Sequence, residues 1–539
     1  MRIRSCYFAM AACLFFFLGG QVFVPLLGVE ADEALFGMAF FSPRYASSIH
    51  IGHSTFPLMI MTYLGTLKAW IYRPILTWFH PGVWSLREPV LVAGAVSIWL
   101  FYLLLKRMSG ERAAAIGCAL LATDSLYLLT TCFDWGPVAL QHLLLIGGLW
   151  LHLRFYQERA TGSLAAGAFL FGLALWDKTL AAWMLSGMGV AALAVFWREI
   201  RSLISVRRLA LWVAAFLLGS LPLWIYNARF DWATVRGNLR GDFSGIRGKS
   251  EVLILTLNGA GMFGYLADED SGTRVPHRPR GPVGRASARM AALTGDPRHS
   301  LGLYAFLLAI LLAPLAGGND RRAVLFALIT MIVAWIQMAI TANAGGAVHH
   351  TILMWPLPHL TVAVSLAAAS KRFGGAGKMF VCAVVGVVAV SSVLLTNEYY
   401  NKMVRNGGSQ SWTDAIFPLS SYVQSLPPRP QSTYLYCMDW GIMDSLRFLS
   451  GGTLPVAGSD YRFTKEDLSA EDRETVGRIL SDGGNLYVSH SKEVQFFADN
   501  QKLLKLASGL GYRQDSLAVI ADSFGRATFE VYRLVRISE

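Results

Sequence analysis

Residues 7–37, YFAMAACLFFFLGGQVFVPLLGVEADEALFG, run from an unbroken apolar block into a cluster of three carboxylates, Glu30, Asp32 and Glu33. A helix needs about 20 apolar residues to cross the ~30 Å hydrocarbon layer, and the block at 7–29 meets that length. Arg2 and Arg4 precede it. It outruns the h-region of a cleaved leader and lacks a small-x-small cleavage site, so an uncleaved signal anchor is expected. The carboxylates then fall at the membrane edge.

Ten more blocks of the same kind follow, at 89–105, 113–131, 137–153, 162–176, 180–197, 209–226, 301–316, 323–341, 350–369 and 379–396. Composition agrees, with 54% hydrophobic and 15% charged residues in 539, where soluble domains carry about 25% charge. A soluble enzyme, a disordered chain and a cysteine-stapled scaffold are all excluded. The expected fold is a polytopic α-helical membrane protein of about eleven transmembrane helices.

The net charge of +12 is explained first by topology. Alternate short connections carry Lys106, Arg107 and Arg112; Arg154 and Arg159; Arg198, Arg201, Arg207 and Arg208; Arg321 and Arg322; and Lys371, Arg372 and Lys378. Those between them, Thr131–Gly136, Trp176–Thr179 and Ala342–His349, hold only Lys178. The positive-inside rule therefore predicts a cytoplasmic N-terminus. Loops 30–88 and 227–300 and the tail then lie outside, and no nucleic-acid partner is expected.

The transmembrane unit is expected over residues 1–396, with a separate extracytoplasmic α/β domain over 397–539. Near-alternating runs at Tyr434–Cys437, Leu486–Val488 and Ala527–Leu534 read as strands, and Lys465–Leu480 and Glu493–Leu506 as helices. Of the six cysteines only Cys132 and Cys437 would lie outside, and nothing suggests that they pair. No cluster has structural zinc spacing, and no cofactor is expected; a divalent metal is not indicated.

Chemistry-bearing residues gather at the outer boundary. Asp32 and Glu33 follow the first span. Lys68 and Arg73 sit in Tyr63–Pro74, which reads as an interfacial amphipathic helix whose cations suit a lipid phosphate. Asp134, in Phe133-Asp134-Trp135-Gly136-Pro137, is balanced between helix cap and site residue. Asp124 lies within the third span, where an ionisable group usually faces a protein interior, and it could line the same cavity as Tyr63 and Lys178. Asp177-Lys178 could equally be a local ion pair. His349 and His350 open the tenth span; adjacent positions on a helix point apart, which disfavours a metal pair and favours one imidazole on a phosphate. The basic stretches of the long loop (Arg236, Arg240, Arg247 and Lys249; Arg274, Arg278, Arg280, Arg285, Arg289 and Arg298) read as a solvated loop or as a lid over an anionic substrate.

A carboxylate that deprotonates an acceptor hydroxyl, beside cations that stabilise a departing phosphate, suits sugar transfer. No Walker or dinucleotide fingerprint is present, so a lipid-carried donor is expected. Ala31–Gly37 and Phe133–Gln141, together with the topology, resemble the type C glycosyltransferases (GT-C fold), especially the protein O-mannosyltransferase and aminoarabinose transferase (ArnT-like) branch, glycosyltransferase family 39. That resemblance implies a polyprenyl-phosphate sugar donor, inversion at the anomeric carbon, Asp32 as base with Glu33 supporting it, and a lipid, glycan or protein acceptor in a bacterial envelope. The family's His-Pro-Pro segment is met here only by His53-Ser54-Thr55-Phe56-Pro57, which leaves His50 and His53 without a role. A transporter or lipid flippase, or a ligase using a pyrophosphate-linked donor, are the alternatives; concentration of ionisable groups at one face and the absence of matched broken segments weigh against transport.

Overall fold

The computed structural model describes residues 2–269, 279, 281–427, 433–465 and 467–537; Arg274, Arg278 and Arg280 lie outside the described residues. Helix α1 (Arg2–Gln21) leads to two short helices, α2 (Ala31–Ala34) and α3 (Gly37–Phe41), a hairpin of β1 (Ser47–Ile51) and β2 (Ser54–Met59), and α4 (Leu67–Trp78). The bundle continues through α5 (Val83–Ser109), α6 (Glu111–Thr123), α7 (Ser125–Cys132), α8 (Val138–Glu158), α9 (Thr161–Asp177), α10 (Ala181–Leu203), α11 (Val206–Gly219) and α12 (Leu221–Arg229). After α13 (Ala233–Asn238), α14 (Ile246–Leu257) and α15 (Gly281–Thr294) come α16 (Gly302–Leu312), α17 (Gly318–Ile340), α18 (Val348–Thr351), α19 (Leu357–Arg372) and α20 (Gly374–Asn406).

Each apolar block of the sequence coincides with one of these helices or with a pair. By length and composition six described helices can cross a membrane, or up to eight if each bent pair counts once, and α1, α9 and α16 are shorter apolar helices. The chain is a multi-pass membrane protein. The bends have local causes. The 58° break between α6 and α7 falls at Asp124, whose carboxylate accepts the Tyr127 amide at 2.7 Å and caps α7. The 68° break between α11 and α12 places Pro222 in the first turn of α12, where its missing N–H costs nothing.

Small residues allow close packing where helices cross without a hydrophobic driving force between them. A Cβ on Gly172 of α9 would lie 2.2 Å from the Phe216 carbonyl of α11, and one on Gly219 would lie 2.3 Å from the Phe169 carbonyl.

The tail forms the expected α/β domain, but α20 continues through the anticipated boundary at 396 to Asn406. Beyond α21 (Ile416–Ser425), strands β3 (Leu435–Cys437), β4 (Val456–Gly458), β5 (Leu486–His490), β6 (Tyr512–Ala521) and β7 (Ala527–Arg536) make one sheet in the order β4-β3-β5-β7-β6. The pairs β3–β4 and β3–β5 are parallel, and β5–β7 and β6–β7 antiparallel. Helices α22 (Met443–Leu449), α23 (Ala470–Ser481) and α24 (Asp499–Gly509) connect them. The two expected helices start later than their sequence runs suggested, and β4, β6 and α22 were not anticipated. Strand β6 lies at the sheet edge and most of it is exposed or half-buried, so it lacks the apolar alternation that marks a covered strand. All six cysteines are free, with Cys132 and Cys437 both buried.

The long loop is less open than its composition implies, since it contains α13, α14 and α15. Lys249 on α14 donates to the carbonyls of Met338, Ala339 and Thr341 at 3.4, 3.0 and 2.7 Å, capping the C-terminal end of α17. Arg298 pairs with Glu269 at 2.7 Å, Arg247 with Glu251 at 3.3 Å, and Arg236 with Asp231. Arg240, Arg285 and Arg289 are exposed.

Because the α9–α11 crossing has no room for a side chain, Gly172→Leu is expected to separate the helices at a cost of about 1–3 kcal/mol. Thermal unfolding in detergent measures it, and an unchanged midpoint would contradict the packing.

Candidate active site

The path from α1 into α2 is held by one buried arginine. Glu33 receives Arg87 Nε at 2.6 Å and Nη2 at 2.9 Å. The same guanidinium donates to the carbonyls of Val24 (2.6 Å), Leu27 (3.2 Å) and Gly28 (2.7 Å). Its planar fork lets one side chain hold a carboxylate and three carbonyls at once. Glu30 Oε2 accepts the amides of Asp32 (2.7 Å) and Glu33 (3.2 Å), capping α2. The two glutamates beside Asp32 are thus occupied in fixing the backbone that carries it.

Asp134 holds the start of α8 and a buried cation. Its Oδ1 accepts the Ala139 amide at 3.0 Å at the start of α8, and its Oδ2 accepts Lys68 Nζ at 2.7 Å. Lys68 also donates to the Glu33 carbonyl at 3.3 Å and lies 5.0 and 5.5 Å from the ring centres of Phe36 and Tyr72. Helices α2, α4 and α8 meet at this ammonium. Arg73 is instead on the exposed face of α4, away from Lys68, so the expected cradle of two neighbouring cations is not formed. The exposed Trp70, Ile71 and Trp78 on that helix suit a membrane interface.

Asp32 takes a hydrogen bond from the Trp135 indole at 3.2 Å. Burial raises its carboxyl above the usual carboxylate range, opposed by Lys178 and by the Trp135 bond. Lys178 is buried at the turn after α9 and donates to the Gly136 carbonyl at 2.6 Å. Burial pulls its ammonium down to about 8, against the charges of Asp32, Asp177 and Asp134. Gly136 has φ +70°, and a Cβ there would sit 3.0 Å from Lys178 Nζ and 3.2 Å from the His349 ring. Glycine thereby permits both the left-handed turn and the close approach of the lysine. Asp177 accepts Gln141 Nε2 at 2.8 Å, so it is not in a simple local pair with Lys178.

Aromatic rings wall this cluster. Trp135 stacks on Tyr265 with centres 3.9 Å apart and meets His349 edgewise at 4.1 Å. His349 and His350 lie closer than adjacent helical positions suggested, with ring centres 4.1 Å apart. Their Nδ1 atoms are buried without a hydrogen-bond partner in the structure, and among the described residues no group of three potential metal ligands is found. The Tyr63 phenol is raised first by burial and then by the charge of Asp32.

Asp124 belongs elsewhere. Its carboxylate meets Trp355 Nε1 and His359 Nε2, each at 3.2 Å, in a crevice between α6, α19 and α20, so its expected place in the Asp32 cavity is corrected. His50 and His53 are exposed on the hairpin.

Two contributors were missed from sequence. Arg87 was not singled out; its signal was an ionisable side chain at the head of a span on the side poor in cations. The second is α22 of the C-terminal domain, which packs on α2 and α3 with Phe448 5.9 Å from Phe36. It carries Asp444, whose carboxyl is pushed up to about 6 by burial, opposed by Arg447 and reinforced by the charge of Asp32. No local pattern in the tail reveals that docking.

Residues 65–226 match the family model described as dolichyl-phosphate-mannose-protein mannosyltransferase. No curated protein matches the chain. Among solved structures, ArnT from Cupriavidus metallidurans bound to undecaprenyl phosphate aligns with a TM-score of 0.58 at 14% identity, over 98% of this chain and 97% of that one. The Archaeoglobus fulgidus oligosaccharyltransferase in its apo form aligns with a TM-score of 0.51 at 13% identity, over 90% and 70%. AglB from the same organism, in complex with an inhibitory peptide and a dolichol-phosphate, gives 0.50 at 12%, over 90% and 69%. The likeness is one of fold, and that fold is the type C glycosyltransferase fold.

Arg87→Met leaves Glu33 buried and unpaired, and a cost of about 3–5 kcal/mol is expected; an unfolding midpoint equal to wild type would contradict the clamp. For Lys178 the folded value of about 8 lies below its ordinary 10.5. Between those values the unfolded chain holds the extra proton, so stability should rise with pH by about 3 kcal/mol relative to Lys178→Met. Parallel pH profiles of the two proteins would oppose that burial.

Proposed function

We propose that this chain is an inverting glycosyltransferase that moves a sugar from a polyprenyl-phosphate donor to an acceptor at the periplasmic face of a bacterial inner membrane, with its N-terminus cytoplasmic and its C-terminal domain periplasmic. The observation that carries the proposal is the division of labour among the acids. Glu33 is paired with Arg87, Asp134 with Lys68, and Glu30 caps α2, while Asp32 keeps a carboxylate held by one indole beside a buried ammonium.

In the proposed step the acceptor hydroxyl gives its proton to Asp32 as its oxygen bonds to the anomeric carbon. The bond from that carbon to the phosphate oxygen breaks, and polyprenyl phosphate leaves with the electron pair. A base works best when its pKa approaches the operating pH, and burial moves Asp32 in that direction. Lys178 and Lys68 stand where cationic groups can stabilise the charge growing on the leaving phosphate. Glu33 and Asp134 are positioning residues, since their oxygens already hold Arg87, Lys68 and the α8 amide. The imidazoles beside Trp135 offer buried nitrogen atoms for the phosphate or sugar. The family match over residues 65–226 supports the donor class, as do the lipid phosphates present in two of the similar structures.

Asp32→Asn removes proton acceptance at nearly unchanged shape, so transfer from a polyprenyl-phosphate sugar should fall by about 10²–10⁴-fold while binding of radiolabelled polyprenyl phosphate is retained. Full transfer by that variant would remove Asp32 as base. Absence of transfer by wild type from every single-sugar donor, with turnover of a pyrophosphate-linked glycan, would favour the ligase instead.

A further inference from the structure

The carboxyl ends of the parallel strands β4, β3 and β5 share one edge of the C-terminal sheet, the place where open α/β sheets commonly bind ligands. Just past β3 and β5 sits a buried pair, Asp439 with His490, joined by Nδ1 to Oδ2 at 2.9 Å. The pair is 0% and 3% exposed at its side chains, yet neither residue enters the transfer step. Asp439 does more than hold the imidazole. Its Oδ1 accepts the amides of Trp440 (2.8 Å) and Phe497 (3.0 Å), and its Oδ2 also accepts the amide of Phe496 (3.0 Å). One carboxylate therefore fixes the backbone of three aromatic residues drawn from two separate loops.

All three rings are exposed: Trp440 and Phe496 are each 37% and Phe497 56% exposed. Trp440 and Phe496 brace each other edgewise at 5.3 Å, and His490 backs Phe496 at 5.5 Å. The patch also has a direction. Trp440 precedes Asp444 by four residues, no more than about 14 Å of extended chain, and Asp444 opens the helix that packs on α2 and hence on the Asp32 segment.

From this geometry we infer that Trp440, Phe496 and Phe497 form a subsite for a sugar ring of the acceptor, which makes the acceptor a glycan or glycan-bearing molecule. The inference rests on the glycosyltransferase proposal and specifies its second substrate. The C–H faces of a pyranose are apolar and slightly positive and complement the negative face of an aromatic ring. Rings locked in advance by a buried carboxylate lose little freedom when such a face binds. Anchoring in a bilayer needs aromatic rings at the right depth but no shared carboxylate tying their amides together. Through α22 the patch is continuous with the helix that packs against α2, which carries Asp32.

Saturation-transfer NMR tests this on the full-length protein in phosphatidylcholine nanodiscs, without donor or turnover, using lactose and α-mannobiose as probes. Saturation of at least one disaccharide is expected, with binding about tenfold weaker in the Trp440→Ala/Phe497→Ala double variant. It should be retained in Trp440→Phe and in Asp32→Asn. The last variant separates this subsite from the transfer step, because failure of Asp32 as base leaves saccharide binding unaffected. No saturation by either sugar, or equal saturation of the double variant, would overturn the subsite. Replacement of residue 497 by p-benzoylphenylalanine adds a second readout: photo-crosslinking to the disaccharides supports the inference, and crosslinking to bulk phosphatidylcholine overturns it by assigning the rings to the bilayer.

Discussion

The buried contact between Arg87 and Glu33 sets the geometry on which the candidate site depends. A guanidinium taken out of water is costly unless its donors are satisfied, and here they hold both carboxylate oxygens of Glu33 and three carbonyls from the turns that follow α1. The chain between the membrane helix and α2 is left with little freedom. Asp32, one residue before Glu33, inherits its direction from that anchoring, and Trp135 completes it with a single hydrogen bond.

A second tier of paired charges surrounds it. Lys68 joins α4 to the start of α8 through Asp134, and Lys178 brings the turn after α9 to Gly136. Three elements distant in sequence are thereby pinned around one carboxylate. The cost of burying these charges is offset only while each retains its partner, which ties the integrity of the bundle's end to the arrangement of the site.

Much of this was legible in the residues. The apolar blocks announced their helices because a bilayer imposes a minimum length, and Asp32, Asp134 and Lys178 stood out as polar groups beside those blocks. Pairing was not legible. Asp134 and Lys68 looked like separate functional groups, whereas they bind one another, and Arg73 looked equivalent to Lys68 although the turn of α4 puts it on the exposed face. Arg87 was not singled out, and α22 carries no sequence mark of its contact with α2, since that contact joins residues some four hundred positions apart. Asp124 lies in a span as expected, but the break it caps turns it toward Trp355 and His359.

The C-terminal domain is accordingly part of the site's surroundings and not a detached appendage: α22 packs on α2 and α3, with Phe448 near Phe36. The central claim is that Asp32 faces the reacting carbon of a lipid-phosphate sugar. The most direct measurement is a structure of the full chain with a non-hydrolysable polyprenyl-phosphonate sugar. The account predicts the phosphonate against Lys178 or Lys68, with the anomeric carbon turned toward Asp32. A phosphonate bound at the opposite end of the bundle, or a sugar held with Asp32 turned away from it, would contradict it.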